Sequence, residues 1–224
     1  MLYGFVPKWL EKVERHARWL AIPNLALLLV GLQVAGFFLV LTDPKWRGLL
    51  VLDPHMVLQG ELWRLISFLA VPYSENALWM FIALNFLYFI VNGVESEWGE
   101  FRTTFYVTVC VVLTVVFSLA FGWPMASPAR LQSTLFFAAA TIAPECEILL
   151  FFVLPVKLKW LAWVSLIFIG LAIVSGSWLD RLYLLVIYAN YLLFFGPYYL
   201  WQFKQWQRRR GFKQQYRDSD EEQD

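Results

Sequence analysis

Charge is scarce in this chain of 224 residues: Asp, Glu, Lys and Arg together make up 16%, where soluble domains carry about a quarter. Hydrophobic residues account for 60%, aromatic residues for 19%, and the mean hydropathy is +0.57. This balance excludes an ordinary soluble domain and predicts a polytopic membrane protein. Cysteine is nearly missing. Cys110 and Cys146 cannot build a disulfide framework and read as ordinary buried thiols. Histidine is as rare, with His16 before the first apolar run and His55 after it. No apolar run therefore carries an imidazole that could ligate a porphyrin-type metal. The first twenty residues, MLYGFVPKWLEKVERHARWL, lack the apolar stretch of a cleavable signal peptide and read as an amphipathic lead-in over residues 1–22. The net charge of +1 gives no signal for a partner, and no nucleic acid is expected as one.

What is abundant is apolar sequence in lengths that suit a bilayer, roughly 17–25 residues per span. Hydropathy predicts six spans between residues 23 and 201: Pro23–Leu41, Glu75–Val94, Thr103–Gly122, a short one at Ala129–Ala143, Trp160–Gly176 and Leu182–Trp201. Pro23 is placed in the first turn of its helix, where a missing N–H costs nothing. The loop Thr42–Leu62 holds Asp43-Pro44 and Asp53-Pro54 among apolar residues and is expected to lie in the membrane interface. Ile148–Lys159, with Pro155 and two Lys, is expected to be interfacial rather than spanning. The tail, residues 202–224, is basic and then acidic, and is expected to be disordered at its end.

With six spans both termini share one side, and thirteen of the 18 Lys and Arg residues fall on it. The positive-inside rule makes that side cytoplasmic. Trp19, Trp98, Trp123, Trp160, Trp178 and Trp201 are read as an aromatic belt. The absence of targeting signals, together with the hydrophobicity, fits a bacterial inner membrane.

Polar residues inside or beside the spans mark interior structure. Trp63-Arg64 precedes the second span, Asn85 interrupts it, and Gly93, Glu97 and Gly99 close it. Pro144 begins the segment joining spans four and five. In order and spacing these features resemble the rhomboid superfamily over about Pro23–Leu200. The pairs are the Trp-Arg of the rhomboid first loop, the Asn of its His-x-x-x-Asn motif, and its Gly…Glu…Gly. The resemblance implies an all-α, six-helix rhomboid-like bundle.

An active rhomboid is an intramembrane serine protease with a Gly-x-Ser-Gly nucleophile opening span four and a His in span six. Both are needed, because a Ser hydroxyl is a poor nucleophile until a base within hydrogen-bond reach takes its proton. Here span four opens WPMASPARLQST, leaving only Ser127 and Ser133 near the expected place. The His of span six would fall at Ala189 or Asn190, and the His of the His-x-x-x-Asn motif is replaced by Phe81. The pattern is similar to the inactive derlins and iRhoms, which bind transmembrane clients without cleaving them. The resemblance thus implies a rhomboid-like protein that is no enzyme, has no cofactor and no metal, and partners with membrane lipid and a transmembrane client. The alternatives are an active protease with an atypical site and a structural subunit of a membrane complex.

Each marker also has a plainer reading. Trp63-Arg64 could be a belt Trp with a snorkelling Arg, or Arg64 could hold the first loop by donating to backbone carbonyls or to a carboxylate such as Glu97. Asn85 reads best as an interhelical hydrogen bond, and Glu95 and Glu97 as solvated or paired with Arg102. Glu145-Cys146-Glu147 is a poor ligand set for a metal, and Ser175-Gly176-Ser177 is a loop. The Arg208–Arg210 run either meets anionic lipid or serves as a topological anchor.

Overall fold

In the computed structural model, which describes residues 8–150 and 154–221, the chain is mostly helical. The long helices are α2 (Leu25–Thr42), α6 (Ala77–Trp98), α7 (Glu100–Phe121), α9 (Leu158–Ser175) and α10 (Trp178–Glu221). Five segments among the described residues are long and apolar enough to cross a membrane: α2, α6, α7, α9 and the first 30 residues of α10. The short predicted span four is present as α8 (Ala129–Ile142), whose 14 residues make a helix of only about 21 Å, shorter than a hydrocarbon core of about 30 Å. Among the described residues there are therefore five full-length candidate spans and, where the short span was expected, a short helix.

That short helix is the centre of the bundle. It packs against α6, α7, α9 and α10, and every residue from Thr134 to Ile142 is buried. A helix enclosed by protein need not match the bilayer, because its ends can be satisfied by loops rather than lipid. Small residues, Ala138–Ala140, let its neighbours approach closely. It stops at Ile142 because Pro144 disfavours helical geometry in the residue before it.

Short helices α1 (Lys8–Ala17), α3 (Lys45–Leu50), α4 (Pro54–Leu58) and α5 (Arg64–Ser67) precede α6. Helix α1 lies along α7, with Leu10 fully buried and Arg102 Nε donating to Glu14 at 2.9 Å. The first seven residues of the lead-in lie outside the described residues. Helices α6 and α7 are joined by Gly99 alone, at φ +95°, a conformation that side chains other than hydrogen strongly disfavour. Pro23 is not in the first turn of α2. It precedes Asn24, which takes the left-handed conformation at φ 55° before the helix opens at Leu25.

Where an interfacial segment was expected the chain forms a two-stranded antiparallel hairpin, β1 (Glu147–Leu150) with β2 (Leu154–Lys157), in register Glu147 to Lys157; residues 151–153 lie outside the described residues. The tail expected to be disordered is instead helical backbone, as α10 runs without a break to Glu221; the last three residues lie outside the described ones. Of the Trp residues read as a belt, Trp19, Trp160, Trp178 and Trp201 are exposed. Trp98 turns inward and packs its ring on Tyr106, Phe194 and Phe195, with centroids 6.1, 5.8 and 5.1 Å away.

Candidate functional site in the bundle interior

Arg64 is the best-connected of the predicted site residues. It is 4% exposed, and its guanidinium donates to the carbonyls of Gly48 and Val51 at 2.6 and 2.9 Å and to Glu61 Oε2 at 2.6 Å. It therefore holds the first loop through backbone carbonyls, as expected, but the carboxylate it meets is Glu61 rather than Glu97. Trp63 beside it is exposed. The loop is fixed to α2 by a second device. Gln33, the buried amide of α2, donates to the carbonyls of Leu69 and Val71, the latter at 3.0 Å. Gly36, one turn on, leaves room for the backbone of Ala70, whose carbonyl oxygen would lie 1.7 Å from any added Cβ. Leu52 and Met125 exchange backbone hydrogen bonds of 3.2 and 2.8 Å, tying this loop to the segment before α8.

At the end of α6 the interior carboxylate is Glu95, not Glu97. Glu97 is exposed, and Gly93 has open space around it. Glu95 is buried and its Oε1 accepts the backbone N–H of Leu25 at 3.1 Å. This places an anionic cap on an orphan donor at the N-terminus of α2, where the helix dipole favours it. Neither solvation nor Arg102 accounts for it, since Arg102 pairs with Glu14. Asn85 also differs from its expected role. It is exposed, and its Nδ2 donates to the Phe81 carbonyl of its own helix at 2.8 Å, reaching no other helix.

The positions where the family's catalytic groups would fall do not converge. Phe81 and Ala189 are exposed. Ser127 is exposed and accepts the backbone N–H of Ala129 at 3.2 Å. Ser133 and Asn190 alone turn toward the interface of α8 and α10. Ser133 Oγ donates to the Arg130 carbonyl and lies 2.9 Å from the Tyr188 hydroxyl. Asn190 Nδ2 reaches the carbonyl of Tyr106 at 3.5 Å, and both Asn190 and Tyr106 are buried.

Around them runs a ladder of phenols from α10 that the sequence reading missed. Tyr183 meets Thr114 at 3.3 Å, Tyr188 meets Ser133, and Tyr191 and Tyr199 meet Thr141 at 2.5 and 2.9 Å. Cys110 and Thr134 add a contact of 3.7 Å in the same layer. The signal was the four-residue-scale recurrence of Tyr along α10 opposite Ser and Thr on α7 and α8. Chemically these are neutral donor–acceptor pairs. A phenol with an unperturbed pKa near 10 is not a base for a serine hydroxyl at neutral pH. At the edge of this layer Arg130 pairs with Asp180 at 3.6 Å and stands over the Tyr183 ring. No cluster of three or more metal-ligating side chains occurs among the described residues. No family model, curated protein or solved structure matches the chain.

Proposed function

We propose that this chain is a rhomboid-like membrane protein without proteolytic activity that retains transmembrane client proteins, with both termini on the cytoplasmic side. The observation that carries the reading is the Ser133–Tyr188 pair. Where a protease of this kind would set a serine on one helix against an imidazole on another, α8 and α10 meet through a hydroxyl and a phenol. Arg64 holding the first loop and the short, enclosed α8 support the same reading. Client helices would dock in the lateral opening between α6 and α9, of which only Leu158 is buried in α9. The phenol ladder favours holding a helix over hydrolysing it, because it offers hydrogen bonds but no activated nucleophile.

The test is reconstitution of the protein with a generic transmembrane rhomboid substrate, alongside Ser127→Ala and Ser133→Ala. The expected result is an intact substrate that co-purifies. Serine-dependent cleavage would instead establish the atypical protease. An intact substrate that does not co-purify would leave a structural subunit, identified by its stoichiometric partners.

A further inference from the structure

The outer face of α6 carries an unpartnered seam. Leu78, Phe81, Asn85, Tyr88 and Asn92 follow one another at spacings of three and four residues, and all five are exposed. Leu78, Phe81 and Tyr88 are 66%, 55% and 42% exposed. The buried side of the same helix is a different set, Met80, Leu87, Ile90, Val91, Val94 and Glu95. A three-four alternation is the a/d repeat of a left-handed helix pair, and it puts the two asparagines at equivalent positions two turns apart.

Both amides lie on a helix long and apolar enough to cross a membrane. Asn85 lies about 12 Å and Asn92 about 22 Å along a helix of about 33 Å. Among the described residues Asn92 and the Tyr88 hydroxyl have no hydrogen-bond partner, and Asn85 uses one N–H on its own helix. Lipid tails supply neither donor nor acceptor, so exposed amides at this depth are costly until protein covers them.

We propose that this seam is a parallel, two-fold interface between two copies of the chain, with Asn85 facing Asn85 and Asn92 facing Asn92. Two copies inserted alike share one orientation, so a two-fold axis along the membrane normal brings identical residues together at identical depth. An amide satisfies its own kind, since it carries both donor and acceptor. A partner of another sequence would need matching polar groups at two separate depths, whereas a second copy has them by symmetry. The interface lies away from the interior that α8 and α10 share, and it does not depend on the client-binding reading.

The test counts subunits by single-molecule photobleaching of the tagged full chain in phosphatidylcholine–phosphatidylglycerol liposomes over a range of protein densities. The wild type is expected to shift from one-step to two-step bleaching as density rises. Asn85→Leu/Asn92→Leu is expected to raise the dissociation constant roughly tenfold or more, from two lost polar pairs. In a Cys146→Ser background that keeps both asparagines, Leu78→Cys, Phe81→Cys and Tyr88→Cys should cross-link with copper phenanthroline, and Trp79→Cys and Phe86→Cys should not. A wild type that stays monomeric at every density, a double variant that dimerises undiminished, or cross-links strongest at Trp79 and Phe86 would each overturn the proposal.

Discussion

The hydroxyl of Ser133 on α8 lies 2.9 Å from the phenol of Tyr188 on α10, so a neutral pair of hydroxyls bridges the two helices. A bridge of this type is structural, and its removal is expected to weaken the bundle modestly. Ser133→Ala and Tyr188→Phe should each cost about 1 kcal/mol, with a coupling of about 0.6 kcal/mol in the double variant. Thermal unfolding in detergent measures both. A serine-directed fluorophosphonate should label neither the wild type nor the variants, and labelling lost on Ser133→Ala would show an activated serine instead.

Glu95 and Glu97 are two residues apart on one helix, yet only Glu95 meets the N-terminus of α2. Glu95→Gln should cost about 1 kcal/mol by weakening a charged cap, while Glu97→Gln should be near neutral. Equal losses of unfolding temperature for the two would contradict this assignment.

Removing Arg64 strands two carbonyls and one carboxylate that are partly buried around it. Arg64→Ala should cost roughly 2–4 kcal/mol and open residues 43–62 to limited proteolysis. Arg64→Lys should recover only part, because an ammonium lacks the fork that spans Gly48, Val51 and Glu61.

The hairpin neck is held by Glu145, which accepts from Lys157 at 2.8 Å and from Lys159 at 2.5 Å. These bonds hold its carboxyl well below the usual range, at about 2. A depressed pKa in the folded chain means the neck is stabilised above the ordinary carboxylate value of about 4.5, and that this stabilisation fades as pH falls toward 2. Amide exchange through residues 146–150 and 154–158, corrected for the intrinsic rate, should therefore show protection that weakens over that window. Glu145→Gln should remove the pH dependence, and an unchanged profile in that variant would rule the clamp out.

Much of this architecture could be read from sequence because a bilayer imposes length and polarity on each span. The long helices fall within a few residues of their expected places apart from α10, whose continuation beyond residue 201 was hidden by its polar composition. Helix phase was not legible. Asn85 was placed inside and stands outside, and Glu95 was read as solvated and is buried, because α6 is apolar both toward its neighbours and toward lipid, and hydropathy then carries no amphipathic signal to fix its rotation. The same ambiguity hid Gln33 and the tyrosines of α10, whose partners lie tens of residues away in sequence. Arg64 was easier, since a charge beside a span has few places to go other than carbonyls or a carboxylate.

Helix α10 spans 44 residues, which makes a shaft of about 66 Å, more than twice the thickness of hydrocarbon. Its inner half is gripped by α7, α8 and α9, while its outer half runs on as the same rod past Pro197. A tilt of about 5° where the grip ends would swing the tip of the remaining ~33 Å by about 3 Å. A change in packing among the phenols would thus be carried along the shaft as a displacement of its far end.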